Sequence, residues 1–245
     1  MKRILCFITL MVLIVIFAVS TYFFVSNQIE SREQKEIFND IVSVVETESN
    51  DNDDKLNGYM ELKSQNADFI GWIKIDDTNI NYPVMQSRTP NFYLRKNFNK
   101  EYSYYGTPYI SELCNTEKSD NLIIYAHNMK NHQMFGDLEK YKSKDFYNSH
   151  RYIQFDTLNS KGTYEIISVL KTTADDFDYQ NYTDFTDEEQ FNTFIDKCKS
   201  LSLYDTETNA AYGDRLITLS TCEYSRKDGR LVVIAKQTEV SNYET

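Results

Sequence analysis

Histidine and cysteine are scarce in this 245-residue chain, with three of the one and four of the other. Cys6 lies in an apolar N-terminal segment, which leaves Cys114, Cys198 and Cys222 as the thiols of the remainder. That odd number excludes a dense disulfide framework and leaves at least one thiol free unless two chains pair, with a Cys114–Cys198 bridge left open. No Cys or His spacing matches a zinc site, and the acidic run Glu46 to Lys55 lacks the Gly and Glu placement of a calcium loop. No metal and no cofactor is therefore expected. Basic charge is short as well: 26 Lys and Arg against 37 Asp and Glu give a net charge of −11. Such a balance excludes the clustered cationic surface that nucleic acid requires and argues against attraction to anionic lipid heads. Internal repeats and βαβ alternation are both missing, which removes solenoids and doubly wound sheets. The one tryptophan, Trp72, reads as core, while 19 Tyr and 15 Phe suit a β-rich fold, whether they line a peptide groove or fill the interior.

What is present begins with Ile4 to Val25, an uncharged stretch long enough to cross a bilayer as a helix. Its length and the lack of a small-x-small site after it favour an uncleaved anchor over a cleaved signal peptide. Lys2 and Arg3 precede it, so the N-terminus is expected in the cytoplasm and the rest outside the cell membrane, in a single-pass arrangement. Residues 26–57 follow as a juxtamembrane helix, with Ile37, Phe38, Ile41, Val42 and Val45 at helical spacing, and then an acidic, hydrated linker. Residues 58–245 are long enough for one catalytic domain with a substantial core.

Within that domain a helix is expected over Leu56 to Phe69, then strands at Trp72 to Ile75, Asn79 to Met85, Gly106 to Ser111, Asn121 to Ala126, Tyr152 to Asp156 and Thr163 to Thr172. A short helix is expected at Met134 to Tyr141 and a longer one at Thr186 to Leu203. In the longer one Thr186 would cap the N-terminus, and Phe191, Phe194, Ile195 and Cys198 form an apolar stripe. Two last strands, Arg215 to Thr221 and Arg230 to Lys236, flank a polar turn. About eight short strands without βαβ units predict a mainly β fold, a closed or nearly closed barrel with peripheral helices.

The last two strands carry the chemistry. Cys222 ends the first and Arg230 starts the second, so thiol and guanidinium would lie side by side at the rim of a sheet. The thiolate is the reactive form of cysteine, and a fixed positive charge beside it favours that form. The alternative is a buried structural cysteine. Asn121 to Ala126 delivers His127 at the end of another apolar strand, where imidazole is either a base for the thiol or a hydrogen-bonded core residue.

Thr218-Leu219-Ser220-Thr221-Cys222 resembles the TLxTC motif of the sortases, Arg230 stands where the sortase arginine follows on the next strand, and Tyr125-Ala126-His127-Asn128-Met129 is similar to the segment that carries the sortase histidine. The three occur in the family's order. The opening Gly71 to Val84, GWIKI and INYPV, and the helix before the last two strands resemble class B sortases, cysteine transpeptidases of Gram-positive bacteria. The resemblance spans about Asn66 to Gln237 and implies a closed eight-stranded sortase barrel, with helices at its N-terminus and in the loop before the last two strands. It implies His127, Cys222 and Arg230 as catalytic residues. Substrate contacts are expected from Asn91 and Leu94, from Ser220, Thr221 and Glu223 around the nucleophile, and from Tyr179 in the loop that also holds Tyr182 and Phe185. The implied activity is cleavage of a C-terminal sorting motif after Thr through a thioester. The surface protein that bears the motif is then transferred to an amine of the cell-wall precursor or, alternatively, of a pilin lysine. Two other readings stand beside it. A papain-type hydrolase has the order Cys before His, and here His127 comes first. A non-enzymatic surface module that binds peptide or haem through its tyrosines predicts an unreactive Cys222.

Overall fold

In a computed structural model, which describes residues 2–45 and 52–243, the chain begins with one unbroken helix, α1 (Lys2–Val45). At the usual rise this is ~66 Å long. Its first half exposes apolar side chains on every face and is apolar enough to cross a membrane. The expected juxtamembrane helix is its direct continuation. There Gln34, Phe38, Ile41 and Val45 recur at alternating spacings of four and three and are buried against the domain.

Helix α2 (Asn52–Gln65) runs back along α1. The linker expected through Asn57 is therefore shorter: Asn52 to Asn57 is helical, while positions 46–51 of the acidic run lie outside the described residues. Composition misled because three residues outweigh it. Tyr59 and Leu62 are fully buried, and Lys55 pairs with the buried Asp156 carboxylate. Gly58 explains itself by contact, since a Cβ there would stand 2.7 Å from the Val44 carbonyl oxygen. The helix ends at Gln65 rather than Phe69 because Asn66 takes over the backbone. Its N–H donates to the Leu62 carbonyl, and its side chain donates to the Phe98 carbonyl and accepts from the Asp68 N–H.

Eight strands close a barrel: β1 (Phe69–Lys74), β2 (Asn81–Met85), β3 (Tyr109–Ile110), β4 (Asn121–Tyr125), β5 (Tyr152–Thr157), β6 (Ser160–Thr173), β7 (Leu216–Glu223) and β8 (Gly229–Asn242). Their order around it is β1-β2-β3-β4-β7-β8-β6-β5, with β1 closing on β5. The β2–β3 and β4–β7 pairs are parallel and the rest antiparallel. Expected strand ends shift by a few residues, most at the last strand, which runs on from Lys236 to Asn242, while of Gly106 to Ser111 only Tyr109 and Ile110 are paired. A 3-10 turn at Gly136–Lys142 stands for the short helix expected at Met134 to Tyr141, followed by α3 (Lys144–Ser149).

Helix α4 (Glu188–Leu201) buries Phe191, Phe194, Ile195 and Cys198 as its spacing predicts and packs on β6. Its cap is Asp187, not Thr186: the Asp187 carboxylate accepts the Gln190 N–H, while the Gln190 side chain reaches back to the Thr186 N–H. A carboxylate at the N-cap meets the helix dipole better than a hydroxyl does, which moves the start by one residue. Trp72 is core, with its indole N–H bonded to Asn81. Cys114 and Cys198 are both buried free thiols, and burial pushes the Cys114 thiol up to about 11.

Candidate active site

Three neighbouring strands bring three side chains to one end of the barrel. β4 and β7 run parallel with Tyr125 opposite Ser220. The match continues beyond the strand end: the Ala126 N–H donates to the Ser220 carbonyl, and the Thr221 hydroxyl donates to the Ala126 carbonyl. Two residues beyond that pair, His127 comes abreast of Cys222 on the same face. β8 pairs antiparallel with β7 and sets Arg230 directly across from Cys222. Nη1 of Arg230 lies 3.9 Å from the Cys222 sulfur and donates to the Gly229 carbonyl at 3.0 Å, which fixes the guanidinium over the thiol.

All three line a single cavity of about 530 Å³. Asn91, Leu94, Ser220 and Thr221 line it with them, and Tyr109, Tyr125, Glu112, Asp178 and Gln180 are among the other residues of its walls. Tyr179 and Glu223 do not line it. Tyr179 is fully buried behind the wall, where its hydroxyl meets that of Ser220 at 2.7 Å. Glu223 alternates to the other face of β7, as the residue after Cys222 must in an extended strand. Cys222 is partly exposed to this cavity, unlike Cys114 and Cys198.

The His127 ring is held by one bond, from Nε2 to the Leu94 carbonyl at 2.8 Å. A carbonyl only accepts, so Nε2 carries the proton and Nδ1 keeps a lone pair. Burial pushes the imidazole below its ordinary value, the Leu94 bond restores part of the drop, and the Arg95 guanidinium lowers it further. The ring is therefore neutral at neutral pH. Asn91, in the left-handed region at φ 55°, accepts from the Tyr109 hydroxyl and opens the turn that presents Leu94.

The family model of the sortase domain matches residues 73–238. The chain belongs to the class B sortases. A curated relative, sortase B of Staphylococcus aureus (strain NCTC 8325 / PS 47), is 33% identical over 249 residues, 98% of this chain and 99% of the relative. Two solved structures are similar to it. A cysteine-to-serine mutant form of Clostridium perfringens sortase B is 30% identical with a TM-score of 0.78, over 84% of this chain and 98% of that one. A Staphylococcus aureus sortase B–substrate complex is 29% identical with a TM-score of 0.77, over 86% and 99%. Membership implies a membrane-associated cysteine transpeptidase of the cell-wall-sorting kind and accounts for the closed barrel with peripheral helices.

Sequence reasoning missed the parts of this sortase site that act through backbone. Asn128 donates from its side chain to the Cys222 carbonyl at 2.8 Å and to Glu139 at 3.0 Å, tying the strand end that bears His127 to the one that bears Cys222. The Leu94 carbonyl leaves no trace in side-chain identity. A polar amide directly after the histidine was the only available signal.

Glu223, expected to contact substrate, instead anchors the turn after Cys222. Its carboxylate accepts from Lys142 at 2.8 Å, from Lys171 and from the Ser225 N–H and hydroxyl. Burial alone would raise this carboxyl, but hydrogen bonds from Lys142, Ser225 and Lys171 outweigh burial and hold it at about 2. A depressed carboxylate adds stability that is complete above the unfolded value near 4.5 and is lost as pH falls toward 2. Glu223→Gln should therefore cost about 1–3 kcal/mol at neutral pH. Thermal melts should show the gap to the parent chain closing below pH 4.5. A gap that stays constant with pH would assign the loss to shape rather than charge.

Proposed function

We propose that this sortase cleaves a C-terminal sorting motif after its threonine and joins the new carboxyl group to an amine of the cell-wall precursor. The convergence of Cys222, Arg230 and His127 from three adjacent strands on one cavity carries the reading. Neutral His127 takes the thiol proton on Nδ1 as the Cys222 sulfur attacks the threonine carbonyl. Arg230 donates hydrogen bonds to the oxyanion that forms. The imidazolium then gives its proton to the leaving amine, which departs with the C-terminal fragment and leaves a thioester on Cys222. In the second half neutral His127 takes a proton from the incoming amine as it attacks the thioester, and the thiol leaves reprotonated. Asn91, Leu94, Ser220 and Thr221 bind the motif along the cavity wall. Lys2 and Arg3 ahead of the apolar half of α1 support a site on the outer face of the membrane, by the excess of positive charge on the inner side.

A quenched fluorescent peptide of the NPQTN or SPKTG type, incubated with the enzyme with and without triglycine, tests this by mass analysis of the products. Cleavage after threonine with triglycine joined to the new end is the expected result. Cleavage at another bond, or release of fragments without amine-linked product under any acceptor, would replace the transpeptidase with a hydrolase.

The protonation state of His127 sets the acid limb of the pH–rate profile. Below its titration the ring can no longer accept the thiol proton, so kcat/KM should fall only at pH values under the ordinary 6.5. Arg95→Gln removes a charge that lowers the ring, so the limb should move to higher pH at low salt. A limb that moves the other way would show that another group governs it.

A further inference from the structure

The path of α1 says where the cavity stands relative to the bilayer. The last apolar residue of its uncharged stretch is Val25, and within about one and a half further turns the helix is already bonded to the domain. Glu30 accepts the Tyr104 N–H at 2.6 Å, Ser31 accepts from Asn131, and Gln34 accepts from the Ser103 hydroxyl. These contacts belong to the His127 side of the cavity. The Arg95 guanidinium donates to the Tyr104 carbonyl at 2.6 Å, its neighbour Leu94 holds the His127 ring, and Asn131 sits in the loop that leaves His127. The other end of the domain part of α1, at Val44 and Val45, meets Gly58 in the helix whose Lys55 pairs with Asp156.

Heights follow from helix geometry. Glu30 stands only ~8 Å above Val25 along the axis, and Val44 ~29 Å above it, with any tilt reducing both. A headgroup layer is ~6 Å thick on each side of the hydrocarbon. The Tyr104 backbone therefore lies at the upper edge of the headgroups, while the Lys55 end of the domain stands far above.

The surface at that level is aromatic. Tyr102 is 71% exposed, Tyr104 48% and Tyr224 69%, and Ile29 of α1 continues the apolar surface from the span. Tyr224 belongs with them: its hydroxyl donates to the Asn128 carbonyl, and Tyr104 and Cys222 are near enough for their charges to act on its phenol. Tyrosine has the amphipathic ring that settles at a membrane–water boundary, with its body in the apolar edge and its hydroxyl in water.

We propose that this sortase rests the His127 side of its cavity rim on the bilayer surface, with Tyr102, Tyr104 and Tyr224 seated at the headgroup boundary. The inference rests on the reading of α1 as a membrane span and goes beyond it, since a span alone would leave the domain free of the surface. The chain's net charge of −11 assigns the contact to these rings rather than to attraction of anionic heads, so it persists in zwitterionic lipid and in salt.

Full-length chain in zwitterionic lipid nanodiscs, with bromine on the acyl carbons next to the headgroup, provides the test. Tyr102→Trp, Tyr224→Trp and Val240→Trp each add a reporter to the buried Trp72. Val240 is 58% exposed and shares a cavity with Lys55 and Asp156 at the far end. Bromine should quench the added emission at 102 and 224 at least about twofold more than at 240, in low and high salt alike. Equal quenching at all three positions, with the chain still resistant to alkaline extraction, would overturn the seating and leave the anchor standing. Extraction of the chain by alkali would remove the anchor and the seating together. Neither readout depends on turnover, so a failure of the transpeptidase reading would be seen separately.

Discussion

Cys222→Ala is expected to abolish peptide cleavage, with a loss of at least about 10⁴ in kcat and no thioester adduct on the chain by mass. Without the sulfur, His127 and Arg230 can still polarise a carbonyl. They have no group to which the acyl portion can be transferred. Folding should survive. Cys222 is only partly buried, its neighbours Thr221 and Glu223 keep their bonds, and the β7–β8 register runs through eight residue pairs that depend on backbone alone. A melting midpoint within about 2 °C of the parent would confirm that the loss is chemical, since truncating one partly exposed side chain by a single atom costs well under the energy of a core cavity. Cys222→Ser keeps the geometry with a far weaker nucleophile and should fall near the alanine variant. Retained cleavage by Cys222→Ala would take the nucleophile's role from this residue, whereas no cleavage by the parent chain, with a Cys222 that resists alkylation, would favour the surface-module reading.

How far these statements were legible in the sequence differs from element to element. The strand ends bearing Cys222, Arg230 and His127 were readable because short apolar runs stop at a polar or reactive residue, and such stops mark the rim of a sheet. That these rims are neighbours was not readable from periodicity. It depends on β4 lying parallel to β7, a non-local pairing across some ninety positions, and only the motif resemblance supplied it. Asn91 and Leu94 came from the resemblance too, although the decisive atom of Leu94 is its carbonyl, which any residue would offer. Glu223 was misplaced because adjacency in sequence puts two strand residues on opposite faces. Tyr179 was misplaced because aromatic loop residues fill cores as readily as grooves. The acidic start of α2 shows the opposite failure. Polar composition argued for a hydrated linker, whereas a stripe of Lys55, Tyr59 and Leu62 suffices to dock a helix.

Arg230→Lys should lower kcat by about 10²–10³ with little change in KM, almost as much as Arg230→Ala, although the positive charge is kept. The reason lies in the fork. One guanidinium nitrogen is already committed to the Gly229 carbonyl at 3.0 Å and stands 3.9 Å from sulfur, which aims the remaining N–H groups of the plane at the space beside the thiol. An oxyanion forming on the attacked carbonyl appears in that space only in the transition state, so lost donors reduce kcat more than binding. Lysine offers three donors on a flexible stem and no plane. Its ammonium can take the place of the one nitrogen that meets both Gly229 and the thiol, but no second donor of a plane is then left for the oxyanion. A charge-only role predicts a different result, with Arg230→Lys within about tenfold of the parent and Arg230→Ala far below both. Single-turnover thioester formation, followed by mass at saturating peptide, separates the two without interference from the acceptor step. A lysine variant that acylates at nearly the parental rate would reduce Arg230 to a fixed charge beside Cys222. A lysine variant that acylates slowly but binds peptide normally would assign it to the oxyanion.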